Sequence, residues 1–300
     1  NMRFATAATF IACLCISSTA NAHETGNVRT HQKTRTHHSK NYEAENARNK
    51  AARAHHEKMD RNHNPRIVGG GQADLGEYPY YVDLGGCGAS LIAPGVALGA
   101  AHCGNYTGDT IVVSGYDRDN EVTGEVDAVV VDQINHPGYD DYANDVMLMR
   151  LDSNVDYSGG PTLKLNWNEH YPSSGQSMTV IGSGSISHGG NDAIILKEVN
   201  VPYVDPQTCS GEWGNGVVEN QSLMLCAGGV AGQDACEGDS GGPLIIDLGD
   251  EHVLVGIVSF GDVCGTEGTA GVYARVSAYS KWIQDTVCDT WNIDADLCYD

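Results

Sequence analysis

Ser240 stands in the run Asp234-Ala235-Cys236-Glu237-Gly238-Asp239-Ser240-Gly241-Gly242-Pro243. Gly238 on one side and Gly241-Gly242 on the other let the backbone turn sharply without a Cβ penalty. The N–H groups of Gly238 and Ser240 can then converge on one point. Such a nest suits the oxyanion that forms when the hydroxyl attacks a carbonyl. The attack needs a base to take the serine proton and a carboxylate to orient that base. His102, in Ala100-Ala101-His102-Cys103, and Asp145, in Asn144-Asp145-Val146-Met147-Leu148, are side chains of those two types. Taken singly they say little, because a His beside Cys reads as structural and an Asp before an apolar strand as a turn residue.

The elements that must position these groups come after Arg66. Short apolar runs recur there, separated by Gly, Asn, Asp and Pro: 110–114, 126–134, 146–151, 178–181, 199–204, 243–246, 252–260 and 271–276. Many short strands and few helices predict an all-β sandwich or barrel. Only 279–287, with Trp282 and Ile283 among polar residues, reads as a short amphipathic helix.

Charge divides the chain at the same place. Residues 1–66 carry 11 Lys/Arg and 5 Asp/Glu, whereas 67–300 carry 6 and 34, within a net charge of −22. The sign reversal predicts a removable leader on one folded domain. Met2-Arg3, the apolar run 4–16 and the small-residue stretch ending Ala20-Asn21-Ala22 read as a secretory signal peptide over 1–22. Residues 23–66 are basic, His-rich and nearly free of bulky apolar side chains, so they cannot bury enough surface to fold alone. They read as a pro-segment. An acidic domain disfavours nucleic acid and anionic membranes as partners. Eight cysteines remain beyond the signal peptide, at 87, 103, 209, 226, 236, 264, 288 and 298, and an even count in a secreted chain reads as four disulfides. Spacing alone leaves on the order of a hundred pairings.

Taken together in the order His102, Asp145, Ser240, these segments resemble the chymotrypsin–trypsin family of serine proteases. The resemblance covers essentially all of residues 67–300 and implies two six-stranded antiparallel Greek-key β-barrels, the site between them, and a short C-terminal helix. Carried onto these positions, His102 is the general base and then acid, Asp145 its orienter and Ser240 the nucleophile. Gly238 and Ser240 supply the oxyanion hole, and Ser259 in Val258-Ser259-Phe260-Gly261 supports the buried Asp145. Arg66-Ile67-Val68-Gly69-Gly70 matches the family's activation site. Cutting before Ile67 would free an amine to pair with Asp239; before the cut, Asp239 points elsewhere and the N–H of Gly238 is misaimed.

The same resemblance puts Asp234 at the base of the specificity pocket, beside Ser259, with Gly261 and Gly271 leaving its walls open. A carboxylate there pairs with Arg or Lys of a protein substrate. Phe260 stands where Trp is usual, Ala235 where Ser is usual, and Glu237 precedes the oxyanion glycine, where it disfavours acidic residues near the scissile bond. The implied disulfides are Cys87–Cys103, Cys209–Cys226 and Cys236–Cys264. Cys288 and Cys298, in an extra C-terminal tail over 289–300, pair by elimination. Residues 117–127 lie where trypsins carry a calcium loop, but Tyr116 replaces an expected Glu ligand and the EF-hand spacing is missing. A solvated acidic hairpin is the expectation there, structural calcium the alternative, and no metal or other cofactor is expected. Asn105-Tyr106-Thr107 and Asn220-Gln221-Ser222 are glycosylation sequons. The expected product is a secreted, monomeric zymogen of an endopeptidase cutting after Arg or Lys and open to protein protease inhibitors. A catalytically silent homologue that binds or inhibits other proteins is the alternative, and a chymotrypsin-like preference is the rival within enzymes.

Overall fold

The computed structural model describes residues 68–299 apart from 156, 158 and 214–221. The predicted signal peptide, the pro-segment, Arg66, Ile67 and the sequon residue Asn220 lie outside the described residues. Strands β2 (Tyr81–Asp83), β3 (Gly88–Ala93), β4 (Val96–Gly99), β5 (Thr110–Val113), β6 (Val126–Asn135) and β7 (Met147–Leu151) close a barrel in the order β2-β3-β4-β7-β6-β5. A second barrel runs β10 (Lys197–Val204), β11 (Met224–Gly228), β14 (Ala270–Arg275), β13 (Glu251–Phe260), β12 (Pro243–Asp247) and β9 (Ser177–Gly182), and closes because β9 also pairs with β10. Two short strands extend this sheet. β1 (Gly71–Gln72) adds to β10, and β8 (Thr162–Leu165) lies parallel to β13, the one departure from the antiparallel pattern among the described pairings.

Alternation explains why these segments are strands. In β10, Val199 and Val201 are buried while Asn200 faces out, the period of two that a half-buried strand requires. In β9 the rule is relaxed: Met178 and Val180 belong to the second barrel's core and Ile181 to the cluster shared with the first. Ile245, Leu254 and Ile257 join Ile181 in that shared cluster, so the barrels meet over apolar side chains. Closed sheets leave no unpaired edge, and each barrel can therefore serve as a rigid mount.

Some elements escaped the sequence reading. Helix α1 (Pro206–Trp213) has no apolar stripe, but Asp205 Oδ1 accepts the N–H groups of Gln207 and Thr208, and Pro206 takes the first helical position. The predicted 279–287 helix is α-helical only over α2 (Ser280–Gln284). A 3-10 turn (Val276–Tyr279) precedes it and a π-type turn (Asp285–Thr290) follows it. Beyond it the tail returns to the first barrel, where Trp291 Nε1 donates to Asp132 Oδ2 at 2.8 Å. All four disulfides are formed: Cys87–Cys103, Cys209–Cys226, Cys236–Cys264 and Cys288–Cys298. No helix among the described residues is long and apolar enough to cross a membrane.

Leu148 is fully buried on β7 between β4 and β6. Leu148→Ala should cost about 3 kcal/mol through lost burial and a residual cavity. A fall in the urea midpoint with the disulfides intact would show it, and an unchanged midpoint would refute the assigned packing.

Candidate active site

His102 sits in a single 3-10 turn (Ala101–Cys103) just after β4, and Asp145 lies two residues before β7. Gly99 of β4 pairs with Met147 of β7, so strand register brings the two side chains together. His102 Nδ1 meets Asp145 Oδ2 at 2.7 Å, and the backbone N–H of His102 donates to Asp145 Oδ1 at 2.9 Å. From the other barrel, Ser259 Oγ donates to Asp145 Oδ2 at 2.5 Å. Burial alone would raise the pKa of Asp145, but the hydrogen bonds from His102 and Ser259, with the attraction of the His102 ring, outweigh it and lower the pKa. The carboxylate therefore stays ionised and holds the ring in one orientation.

Ser240 is fixed by its neighbours. Gly241 N donates to Val258 O at 2.8 Å and Val258 N to Gly242 O at 3.0 Å, which ties the loop to β13. Gly88 N donates to Ser240 O at 2.7 Å, and a Cβ on Gly241 would lie 2.3 Å from Gly88 O. Only glycine fits at 241, and its φ of 79° is itself a left-handed value. Cys87, next to Gly88, is bonded to Cys103, next to His102, so the serine loop and the histidine turn share one covalent anchor. Gly238 is also left-handed, at φ 91°.

Ser240, Asp234, Ser259, Gly261 and Gly271 line one cavity of about 360 Å³ with Ala235, Glu237 and Phe260. His102 and Asp145 join this group through Ser259, and Gly238 through Glu237. Asp234 is buried, and Gly265 N donates to its Oδ2 at 3.0 Å. Burial pushes its pKa up to about 6 against those backbone donors. A Cβ on Gly271 would already touch Asp234 Oδ1 and the Tyr273 ring at 3.4 Å, whereas one on Gly261 would meet open space.

Three neighbours of the cavity were missed by sequence reasoning. Tyr142, 58% exposed, and Trp213 at the end of α1 each stack edge-on against Phe260 with centroids 5.4 Å apart. An exposed tyrosine three residues before Asp145 was the available signal for the first. His188 Nδ1 pairs with Glu237 Oε1 at 2.7 Å across the cavity mouth.

Asp239 has no exposed surface. Its Oδ1 accepts from Gly184 N and its Oδ2 from Cys236 N, both at 2.8 Å. Burial raises its pKa to about 7 despite these bonds. Nearby, Val68 O accepts from Asp234 N at 3.2 Å, and Cβ atoms on Gly69 and Gly70 would lie 1.8 Å from Gly232 O and 2.0 Å from Glu198 O. The glycines of Val68-Gly69-Gly70 are thus demanded by the close approach of the backbone at Gly232 and Glu198.

In the acidic loop, Glu125 Oε1 accepts from the N–H groups of Tyr116 and Asp117, and Oε2 from Val122 N. Asp117 Oδ1 takes the N–H groups of Asp119 and Asn120. Both carboxylates are thus turned onto the backbone of their own loop. Two other clusters among the described residues, Cys87/His102/Cys103 and His188/Glu237/Cys264, each rely on disulfide sulfur, which is not the thiolate a metal needs.

The sequence profile of the Trypsin family matches residues 67–283. A "Trypsin-like protease" of Streptomyces glaucescens is 36% identical over 224 residues, covering 72% of this chain and 80% of that one. "Coagulation factor IX" of Oryctolagus cuniculus is 35% identical over 231 residues, covering 72% and 83%. "Serine protease 56" of Mus musculus is 34% identical over 233 residues, covering 73% of this chain and 38% of that longer protein. Two barrels, a histidine–aspartate pair held from both of them and these likenesses agree: the chain belongs to the trypsin family of serine proteases.

Proposed function

We propose that the chain is a secreted serine endopeptidase, made as a zymogen, that cuts protein substrates after Arg or Lys. The observation that carries this is Asp145 bonded to both His102 and Ser259 beside a cavity that runs from Ser240 to the Asp234 carboxylate. In this mechanism His102 Nε2 takes the Ser240 proton as Oγ bonds to the substrate carbonyl carbon. The carbonyl oxygen becomes an oxyanion held by the N–H groups of Gly238 and Ser240. The peptide C–N bond then breaks, the leaving amine takes the proton from His102, and an acyl-enzyme remains. Water, deprotonated by His102, attacks that ester and restores Ser240.

Arg or Lys preference follows from the chemistry of a buried carboxylate lining the cavity, because an unpaired charge there is costly and a substrate cation offsets it. Tyr142, Phe260 and Trp213 offer an aromatic face for residues ahead of the scissile bond. Activation is read at Arg66–Ile67. The family match begins at Ile67, and Val68 O accepts from Asp234 N on the loop that also carries Asp239; in this reading the amine freed at Ile67 by cleavage becomes the cation for Asp239. No calcium enters this reading, and neither nucleic acid nor membrane is a partner.

Covalent labelling by a fluorophosphonate tests the core of the proposal. After cleavage at Arg66, Ser240 should carry the label; an unlabelled Ser240 favours a silent, protein-binding homologue. Cleavage of a peptide library by the activated protein should fall only after Arg and Lys, and cuts after Phe or Tyr would overturn the pocket assignment. Ile67→Gly should leave Ser240 in place yet lower kcat/KM roughly a hundredfold by misaiming one oxyanion donor; full activity would refute activation by insertion of the Ile67 terminus.

The pH dependence has a definite sign. Asp234 pairs with a substrate cation only when ionised, and its pKa stands at about 6. Affinity for benzamidine should be flat above that value and weaken about tenfold for each pH unit below it. Calorimetric titration between pH 5 and 8 reads this, and Asp234→Asn should remove both the affinity and its slope.

A further inference from the structure

Arg118, on the turn after β5, reaches from one barrel to the other. Its Nε donates to Asp83 Oδ2 at 3.0 Å and Nη2 to Asp83 Oδ1 at 3.4 Å, on β2 of the first barrel. Its Nη1 donates to Ser183 O at 3.3 Å and to Asp192 Oδ2 at 3.2 Å, on the stretch that follows β9 of the second. The backbone holds the same course, with Arg118 N donating to Ile194 O at 2.9 Å. Only 19% of the side chain is exposed. A guanidinium is a planar fork with donors in fixed directions, so these bonds set both position and orientation.

What Arg118 grips is the wall behind Gly238. Ser185 N donates to Glu237 O at 2.6 Å, and Gly184 N donates to Asp239 Oδ1 at 2.8 Å. A Cβ on Gly184 would stand 2.7 Å from the carbonyl carbon of Gly238. Asp192 closes the circuit, its Oδ1 taking the Ser185 hydroxyl at 2.9 Å while its Oδ2 is held by Arg118. The peptides on both sides of Gly238 therefore rest against a stretch whose place is set from the first barrel. We propose that Arg118 is a positioning residue for the oxyanion-binding N–H of Gly238, acting through Ser183, Ser185 and Asp192 without touching substrate. The inference rests on the protease reading given above.

Misplacement of a donor by a fraction of an ångström is costly for the transition state and nearly silent for a ligand that never meets it. The test compares two probes on the activated full chain. A peptide aldehyde ending in arginine forms a hemiacetal with Ser240 and needs the oxyanion donors, whereas benzamidine fills only the Asp234 end of the cavity. Arg118→Ala should weaken the aldehyde roughly tenfold or more and leave benzamidine within about twofold. kcat should fall with the aldehyde affinity while KM for a short peptide amide holds. Arg118→Lys, which keeps the charge but not the fork, should lie between the two and folds even if the alanine variant does not. Equal aldehyde affinity in the parent and in Arg118→Lys or Arg118→Ala would overturn the proposal. Parallel loss of both probes, together with a lower Tm, would also overturn it by making Arg118 an ordinary structural tie. A parent that takes no fluorophosphonate and cuts no peptide overturns the protease reading, and this one with it.

Discussion

A carboxylate with no exposed surface stands one residue before Ser240, and the shape of the site hangs on how it is compensated. Asp239 bonds backward to Cys236 N and sideways to Gly184 N, so it fixes the turn over 236–239 and thereby the direction of Gly238 and the seat of Ser240. Burying an ionised group costs several kcal/mol unless it is paired, and its pKa accordingly stands at about 7 rather than the ordinary 3.8. A raised carboxyl pKa lends stability below the ordinary value and withdraws it as pH climbs through 7. In neutral solution the loop is thus held against a cost that a nearby cation would remove.

Around that carboxylate the two barrels act as opposed mounts. The first fixes His102 and Asp145 through one register, Gly99 against Met147. From the second come Ser259 beneath Asp145 and the backbone that clamps the serine loop to β13. Neither barrel holds a complete site. Ile181, Ile245, Leu254 and Ile257 form the apolar seam between them. At about 1.5–3 kcal/mol for each large buried side chain, that seam resists the sliding that would separate histidine from serine.

Much of this was legible in the chain because its chemistry is local. The serine loop carries its glycines, its aspartates and a cysteine within ten residues, and glycines 69 and 70 adjoin the proposed activation site. The eight strands read from apolar alternation all occur. What stayed hidden is assembled at long range. Tyr142, Trp213 and Phe260 come from a loop, the end of α1 and the end of β13, whose proximity exists only after both barrels close. His188 and Glu237 are nearly fifty positions apart, and Arg118 meets Asp192 across a still longer stretch. None of these pairs has a spacing that hydrophobic periodicity could report. The strands β2 to β4 were obscured for another reason: their Gly- and Ala-rich segment lacks the bulky alternation that marks a strand, although it is almost wholly buried.

The bare glycines that line the serine loop carry an evolutionary consequence. At 182, 184, 241 and 242 a single added carbon would fall within 3 Å of the backbone or of Asp239, and those neighbours cannot swing aside as a flexible side chain would. The inner face of the site is therefore closed to gradual change, since every first step is a collision. The rim is not: Tyr142, His188 and Glu237 are at least half exposed or nearly so. Descendants of this sequence can explore new appetites only from the outside, by exchanging side chains at the mouth while the seat of the serine is inherited unaltered.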